Sequence, residues 1–171
     1  QEGGLVPIVE PEVLIDGDHT LERSFAVTDE TLHAVFNALY SQGVAYDQMI
    51  LKPSMVISGK DCPTQASVDE VAEATVTCLL KNVPATVAGI AFLSGGQSDE
   101  EATANLAAMN ANYDLPWALT YSYGRALQAA CLSAWSGLPE NVPAAQKAFT
   151  HRAKMNGLAA KGEWSADMER G

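Results

Sequence analysis

Four short apolar segments recur along the chain, and each is followed by a polar residue, a loop and a helical pattern. The segments are near-continuous apolar runs, which is typical of strands that are covered on both faces. Such strands form parallel sheets with helices packed outside. The predicted strands are Leu5–Val9, Gln48–Leu51, Gly89–Leu93 and Trp117–Tyr121.

Helical periodicity and capping signals predict a helix after every strand. Apolar residues recur at i, i+3, i+4 and i+7 from about Thr28 to Gln42, and Gly43 ends that helix. Two capping-box signatures open the next two helices. The signatures are Ser67 with Glu70 and Ser98 with Glu101. The helices after the second, third and fourth strands are expected to end near Asn82, Asn110 and Trp135. A last helix is predicted from Val142 to about Lys161, followed by a fraying tail over Trp164–Gly171.

Four such units are half of what a closed (β/α)8 barrel contains. An open four-stranded parallel sheet leaves two strand edges that must be paired or covered. The residues that end the first three strands, Glu10, Lys52 and Ser94, are spaced about 42 residues apart, as expected for one repeated unit. We therefore expect a single domain over residues 1–171 that is half of a TIM (β/α)8 barrel. The first residue is Gln1 rather than Met, so a processed chain or a fragment is expected.

Composition argues against several classes of partner. The net charge is −11, whereas nucleic acids and anionic membranes are bound by clustered Lys and Arg. We expect no nucleic acid and no membrane partner, although backbone N–H groups and one Arg can still bind a phosphate. The cysteines are far apart, without a Cys-x-x-Cys pair, and the histidines lack metal-ligand spacing, so no metal site is predicted.

Lys52 is the candidate nucleophile. The carboxyl ends of barrel strands converge on one face, where the active sites of such barrels lie. A lysine that ends a buried strand is partly desolvated, which favours the neutral, nucleophilic amine. The alternative is an exposed lysine that precedes a proline, and the sequence alone leaves it open.

Glu10 and Glu12 are candidate proton-transfer groups. They lie two residues apart on an extended segment, so both carboxylates face the same side. Two carboxylates in one pocket can shuttle protons. The alternative is a pair of solvated loop acids.

Two strand-end loops are candidate phosphate-binding sites. Ser94-Gly95-Gly96 precedes a capped helix, where glycines let the backbone approach an anion. Gly124-Arg125 follows the fourth strand, and the planar Arg fork suits phosphate. Barrel enzymes often bind phosphate with the loops after strands seven and eight, which would make these four units the last four. Ordinary strand–helix turns are the alternative.

Four sequence motifs resemble those of class I fructose-bisphosphate aldolases, in the order found in that family. They are G-L-V-P-I-V-E-P-E (Gly4–Glu12), I-L-K-P-S-M-V (Ile50–Val56), F-L-S-G-G-Q-S (Phe92–Ser98) and P-W-A-L-T-Y-S-Y-G-R-A-L-Q (Pro116–Gln128). The resemblance runs from about Gly3 to Gly162. It implies the last four βα units of the barrel plus a C-terminal helix, with the N-terminal half absent from the sequence.

The resemblance also implies roles for individual residues. Lys52 would form a Schiff base with the ketose, Glu10 would act as the acid/base, and Glu12 would be its neighbour. The implied reaction is the reversible cleavage of fructose 1,6-bisphosphate to dihydroxyacetone phosphate and glyceraldehyde 3-phosphate, without a metal or other cofactor. The residues implied to hold the C1 phosphate are Ser94, Gly95, Ser122, Gly124 and Arg125.

The same resemblance implies a homo-oligomer, usually a tetramer, that acts in glycolysis and gluconeogenesis in the cytoplasm or a plastid. Its partners would be phosphorylated ketoses and trioses. Two alternatives are another Schiff-base lyase on this fold, such as a transaldolase-like protein, and a non-catalytic, truncated aldolase-like fragment that acts as a scaffold or binding partner.

Overall fold

A parallel four-stranded sheet forms the centre of the molecule. The computed structural model describes residues 1–170. The strands lie in chain order, and each pairs in parallel with the next, which confirms the predicted architecture. The strands are β1 (Ile8–Val9), β2 (Ile50–Leu51), β3 (Gly89–Phe92) and β4 (Leu119–Tyr121).

Residues 1–170 form five α-helices, and the first four each follow a strand. Both predicted capping boxes are formed, because each serine hydroxyl accepts from the backbone of its glutamate and each carboxylate accepts from the backbone of its serine. The helices are α1 (Leu21–Ser41), α2 (Val68–Asn82), α3 (Asp99–Asn112), α4 (Arg125–Trp135) and α5 (Val142–Ala159), with 3-10 turns at Tyr46–Gln48, Pro139–Asn141 and Ala166–Arg170.

Strand order explains where the helices lie. Crossovers between neighbouring parallel strands are right-handed, so a sheet ordered β1-β2-β3-β4 carries its connecting helices on one face. That face holds the core, in which Phe92, Met49, Leu51 and Ile90 are fully buried. On the edge strand the Ile8 side chain is 61% exposed.

The strands are shorter than predicted, and prolines supply part of the reason. Lys52 N donates to Val9 O at 2.7 Å, and the next rung of a parallel ladder would need an N–H from residue 11. Residue 11 is proline, so β1 ends at Val9. Trp117 lies before β4, where its indole Nε1–H donates to Pro84 O at 2.9 Å.

The predicted start of the first helix was wrong by seven residues. Helix α1 begins at Leu21 rather than Thr28, because the Thr20 hydroxyl caps it by accepting from Arg23 N. Thr28 lies inside the helix, where its hydroxyl donates to Ser24 O at 2.8 Å. The two buried positions of the helix that precede Leu32 are polar, Ser24 and Thr28, so no apolar repeat marks this part of the helix.

The prediction of a fraying tail was also wrong for the residues that the structure describes. Glu169 accepts hydrogen bonds from Arg152 at 2.5 and 3.0 Å and from the Trp164 indole N–H at 2.9 Å. Arg152 also donates to the Thr103 hydroxyl, at 3.1 Å. The Glu169 carboxylate therefore holds the C-terminal 3-10 turn against α5 through Arg152, and Arg152 in turn connects to α3 through Thr103. Within residues 1–170, no helix is long and apolar enough to cross a membrane.

Candidate active site

Lys52 and Glu10 lie side by side just past the ends of β2 and β1. The register pairs Val9 with Leu51, so the residues that follow are brought together by the sheet itself. Lys52 Nζ lies 3.0 Å from Glu10 Oε1. The Lys52 side chain is 20% exposed and the Glu10 side chain 46% exposed. The Lys52 side chain is therefore mostly buried, with a fifth of its surface open to solvent.

This pair can support nucleophilic chemistry. At 3.0 Å the ammonium nitrogen and the carboxylate oxygen form a close ion pair. A carboxylate within hydrogen-bond reach of an amine can take its proton and return it to a leaving group. The pair has the geometry of a nucleophile with its proton acceptor.

Glu12 lies on the same segment but is not joined to the pair by a direct contact. Its side chain is exposed. Among residues 1–170 it takes part in no ion pair within 4.0 Å. The structure thus brings Glu10 to Lys52, and it leaves Glu12 as a second carboxylate nearby along the chain.

The loop after β3 is a tight turn that leads into α3. Ser94 is buried, and its carbonyl accepts from Gln97 N at 2.9 Å. Gly95 and Gly96 have φ values of +38° and +75°, a conformation that side chains disfavour. A Cβ on Gly96 would lie 2.2 Å from Ile15 Cδ1, so the Ile15 side chain would have to shift to make room for it. The backbone is open here, directly before the N-terminus of a capped helix.

The loop after β4 lies beside the loop after β3. Ser122 N donates to Phe92 O at 2.8 Å, which ties the two strand ends together. Gly124 is the N-cap of α4, and its carbonyl accepts from Leu127 N at 3.1 Å. Arg125, the first residue of α4, is exposed. Two helix N-termini and an arginine therefore face the same edge of the sheet, a combination that suits an anion.

Charges connect this edge to the loop after β1. Asp16 and Lys60 form an ion pair between the loops that follow β1 and β2. The hydrogen bond from Lys60 and the charge of Lys60 lower the pKa of Asp16, and the charge of Arg125 adds a weaker lowering. Arg125 is thus within electrostatic reach of the β1–α1 loop. Among residues 1–170, no cluster of three or more His, Cys, Asp or Glu side chains could hold a metal ion.

Three side chains around the site were not predicted from the sequence. The Ser54 hydroxyl accepts from Val13 N at 2.9 Å and donates to Val13 O at 3.3 Å. Gln97 Nε2 donates to Ser94 O at 3.2 Å, and Asn105 Nδ2 donates to Gln97 Oε1 at 2.7 Å. Ser54 and Gln97 lie within the quoted motifs. The residues that Ser54 and Gln97 bond to depend on the course of the loops, and the spacing of apolar residues in a sequence does not predict the course of a loop.

Comparisons with known proteins identify a family. The family model described as "Glycolytic: Fructose-bisphosphate aldolase class-I" matches residues 1–171. The chain is 56% identical over 165 residues to a probable fructose-bisphosphate aldolase class 1 of Xanthomonas campestris, covering 96% of this chain and 49% of that protein. It is also 56% identical over 165 residues to fructose-bisphosphate aldolase B of Gallus gallus, covering 96% of this chain and 45% of that protein.

A solved structure agrees with this result. The fructose-bisphosphate aldolase of Plasmodium falciparum, in a ternary complex with TRAP and a small molecule inhibitor, has a TM-score of 0.92 and 47% identity. The match covers 95% of this chain and 47% of that chain. This likeness confirms that the chain has part of an α/β-barrel fold. The chain spans about half the length of the curated relatives it matches.

Proposed function

Because this chain belongs to the class I fructose-bisphosphate aldolase family, we propose that its native-length protein cleaves and forms fructose 1,6-bisphosphate through a Schiff base on Lys52. By native-length protein we mean the natural polypeptide that carries these residues. The products of cleavage are dihydroxyacetone phosphate and glyceraldehyde 3-phosphate. The observation that carries the proposal is the 3.0 Å contact between Lys52 Nζ and Glu10 Oε1 at adjacent strand ends.

In the proposed chemistry, the neutral Lys52 amine adds to the ketose carbonyl carbon. The proton lost by the nitrogen moves to the carbonyl oxygen through Glu10. A second proton, again delivered by Glu10, lets that hydroxyl leave as water and produces the iminium. The hydroxyl next to the bond that breaks then gives its proton to Glu10, which is by this stage a carboxylate, and becomes the aldehyde of glyceraldehyde 3-phosphate; the electron pair of the broken carbon–carbon bond moves to the iminium and forms an enamine. Return of that proton to the enamine carbon restores the iminium, and addition of water with departure of the Lys52 amine releases dihydroxyacetone phosphate. Glu12 is the second carboxylate of this proposed site.

The C1 phosphate of the substrate is proposed to bind at the loops after β3 and β4. The positive φ values after Ser94 and the N-termini of α3 and α4 support this assignment, as does the exposed Arg125. Backbone N–H groups at helix starts bind phosphate, and a guanidinium adds a planar pair of donors. The residues proposed to contact the phosphate are Ser94, Gly95, Ser122, Gly124 and Arg125.

The length of the relatives supports the proposal that these residues are a single domain forming the C-terminal half of a (β/α)8 barrel. Family membership is the sole support for a homo-oligomer, a tetramer, that acts in glycolysis and gluconeogenesis in the cytoplasm or a plastid.

The test is borohydride trapping of the native-length protein with dihydroxyacetone phosphate. Intact mass measures the adduct, and peptide mapping locates it. The expected result is one adduct on the peptide that contains Lys52, its loss in Lys52→Ala, and its retention in Lys60→Ala, which removes an exposed lysine of the adjoining loop. Absence of an adduct, or an adduct on another lysine, would refute the proposal.

A further inference from the structure

We infer that Ser54 is a positioning residue, which holds the segment carrying Glu10 and Glu12 against Lys52 in place of a missing backbone hydrogen bond. The inference deepens the proposed function and rests on it for its catalytic consequence. It assigns to Ser54 no contact with substrate. It assigns a structural connection between the two strands that supply the reacting pair.

The hydrogen-bond ladder between β1 and β2 has a gap directly after Val9. In this register, alternate residues of the first segment point their N–H groups toward the second strand. After Val9 the next donor would be residue 11, and Pro11 has no N–H. The ladder therefore stops next to Glu10 and Lys52, where a fixed geometry matters most.

The next donor in the same series, Val13 N, bonds to a side chain instead of to a strand backbone. The Ser54 hydroxyl accepts from Val13 N at 2.9 Å and donates to Val13 O at 3.3 Å. One hydroxyl thus satisfies both backbone groups of Val13, as a neighbouring strand would. Ser54 is only 5% exposed, so few water molecules can compete for these bonds.

The segment that carries the two carboxylates lies between two hydrogen-bonded anchor points, Val9 and Val13. Lys52 N donates to Val9 O at 2.7 Å on one side, and the Ser54 hydroxyl holds Val13 on the other. Glu10 and Glu12 lie between them, and both are exposed. Exposed carboxylates gain little orientation from packing, so the hydrogen bonds nearest to them on either side, at Val9 and Val13, matter most for the path of their backbone. The next bond between the two loops, from Lys60 N to Ile15 O at 2.9 Å, lies beyond Val13. Loss of the second anchor should disturb proton transfer at Lys52 and leave phosphate binding intact.

The experiment compares Ser54→Ala with Ser58→Ala in the native-length protein. Ser58 is a matched control because it is also 5% exposed, lies four residues away, and uses its hydroxyl to accept from Ala66 N at 3.2 Å. Two quantities are measured in each variant. One is hydrogen exchange of the Val13 amide by NMR, and the other is iminium formation from dihydroxyacetone phosphate, followed by rapid mixing and borohydride quenching.

For Ser54→Ala we expect Val13 exchange to accelerate about tenfold, since one hydrogen bond of ordinary strength is lost. The maximal rate of iminium formation should fall about tenfold, while the half-saturating concentration changes less than about twofold. Ser58→Ala should match the wild type in both quantities. This division of effects separates positioning from a general loss of structure, which would also weaken phosphate binding.

Unchanged Val13 exchange in Ser54→Ala would overturn the inference, and so would an unchanged maximal rate. An equal loss in Ser58→Ala would overturn it as well, because the effect would then belong to any buried hydroxyl of this loop. If the wild type forms no iminium, the proposed function fails and the catalytic part of the inference falls with it. The Val13 exchange then still decides whether Ser54 anchors the segment.

Discussion

Lys52 Nζ lies 3.0 Å from Glu10 Oε1, and the two residues follow adjacent parallel strands in matching register. The contact joins residues 42 positions apart in the chain, so the sheet brings them together. The Lys52 amine is the more buried partner, and Glu10 faces solvent on one side. The proposed nucleophile and its proposed proton acceptor thus lie at adjacent strand ends, one largely buried and the other open to solvent.

Substitution of Glu10 by Gln should slow iminium formation about 100-fold, because an amide cannot take the amine proton. The free energy of unfolding should change by less than about 1 kcal/mol, since the ion pair is partly exposed. Rapid-quench trapping and urea titration measure the two effects. Glu12→Gln is the control for the second carboxylate and should cost less, because Glu12 does not contact Lys52. A larger loss in Glu12→Gln than in Glu10→Gln would show that Glu12, and not Glu10, is the proton acceptor.

Arg125→Ala should raise the half-saturating concentration of dihydroxyacetone phosphate about 10- to 100-fold, because a charged hydrogen-bond donor to the phosphate is removed. The Lys52 adduct should still form at saturating substrate. Arg170→Ala, which removes a highly exposed arginine elsewhere, is the matched control. Equal affinity before and after Arg125→Ala would show that the phosphate lies elsewhere.

Gly96→Ala should lower the free energy of unfolding by about 1–3 kcal/mol. The residue has a φ of +75°, and its new Cβ would lie 2.2 Å from Ile15 Cδ1. Gly3→Ala is the control, because no heavy atom lies within 4 Å of its added Cβ. Urea unfolding of both variants makes the comparison. Wild-type stability in Gly96→Ala would contradict the packing of Ile15 over this loop.

The protein should lose stability in acid because of a cluster formed by Glu169 with Arg152, Trp164 and His151, which we call the Glu169 cluster. Burial alone would raise the Glu169 pKa, but hydrogen bonds from Arg152 and Trp164, the Arg152 charge and His151 together hold that pKa below its ordinary value of 4.5. A lowered folded-state pKa stabilises the protein fully above pH 4.5, and the contribution is lost as the pH falls through the folded value. Urea unfolding between pH 7 and pH 3 should show this loss, and Glu169→Gln should reduce it.

In the same cluster, Arg152→Ala should cost about 3 kcal/mol at pH 7, because it leaves a mostly buried carboxylate without its partner. Lys154→Ala, which removes an exposed cation of the same helix, is the control. A change below about 0.5 kcal/mol in Arg152→Ala would mean that the tail is held by other contacts.

The sequence predicted the sheet, its parallel order and the adjacency of strand-end residues, because these depend on apolar runs and on regular connections. It missed the start of α1, since polar residues in its first turns conceal the buried Leu32 face that continues behind them. It also missed the docking of Glu169 onto Arg152, a contact between residues 17 positions apart that no local pattern announces. Ser54 was overlooked for a related reason. Its bond to Val13 depends on the path that the chain takes beyond Pro11.

Only two residues of β1 pair with β2 before Pro11 ends the ladder. Side chains alternate between the faces of a strand, so a slip of one residue between these strands would send Lys52 and Glu10 to opposite sides of the sheet. Their contact therefore exists only in the native alignment. The Schiff-base reaction proposed for Lys52 would thus serve as a chemical probe of correct strand pairing, and it should report mispaired strands in refolded or truncated forms that retain normal helix content.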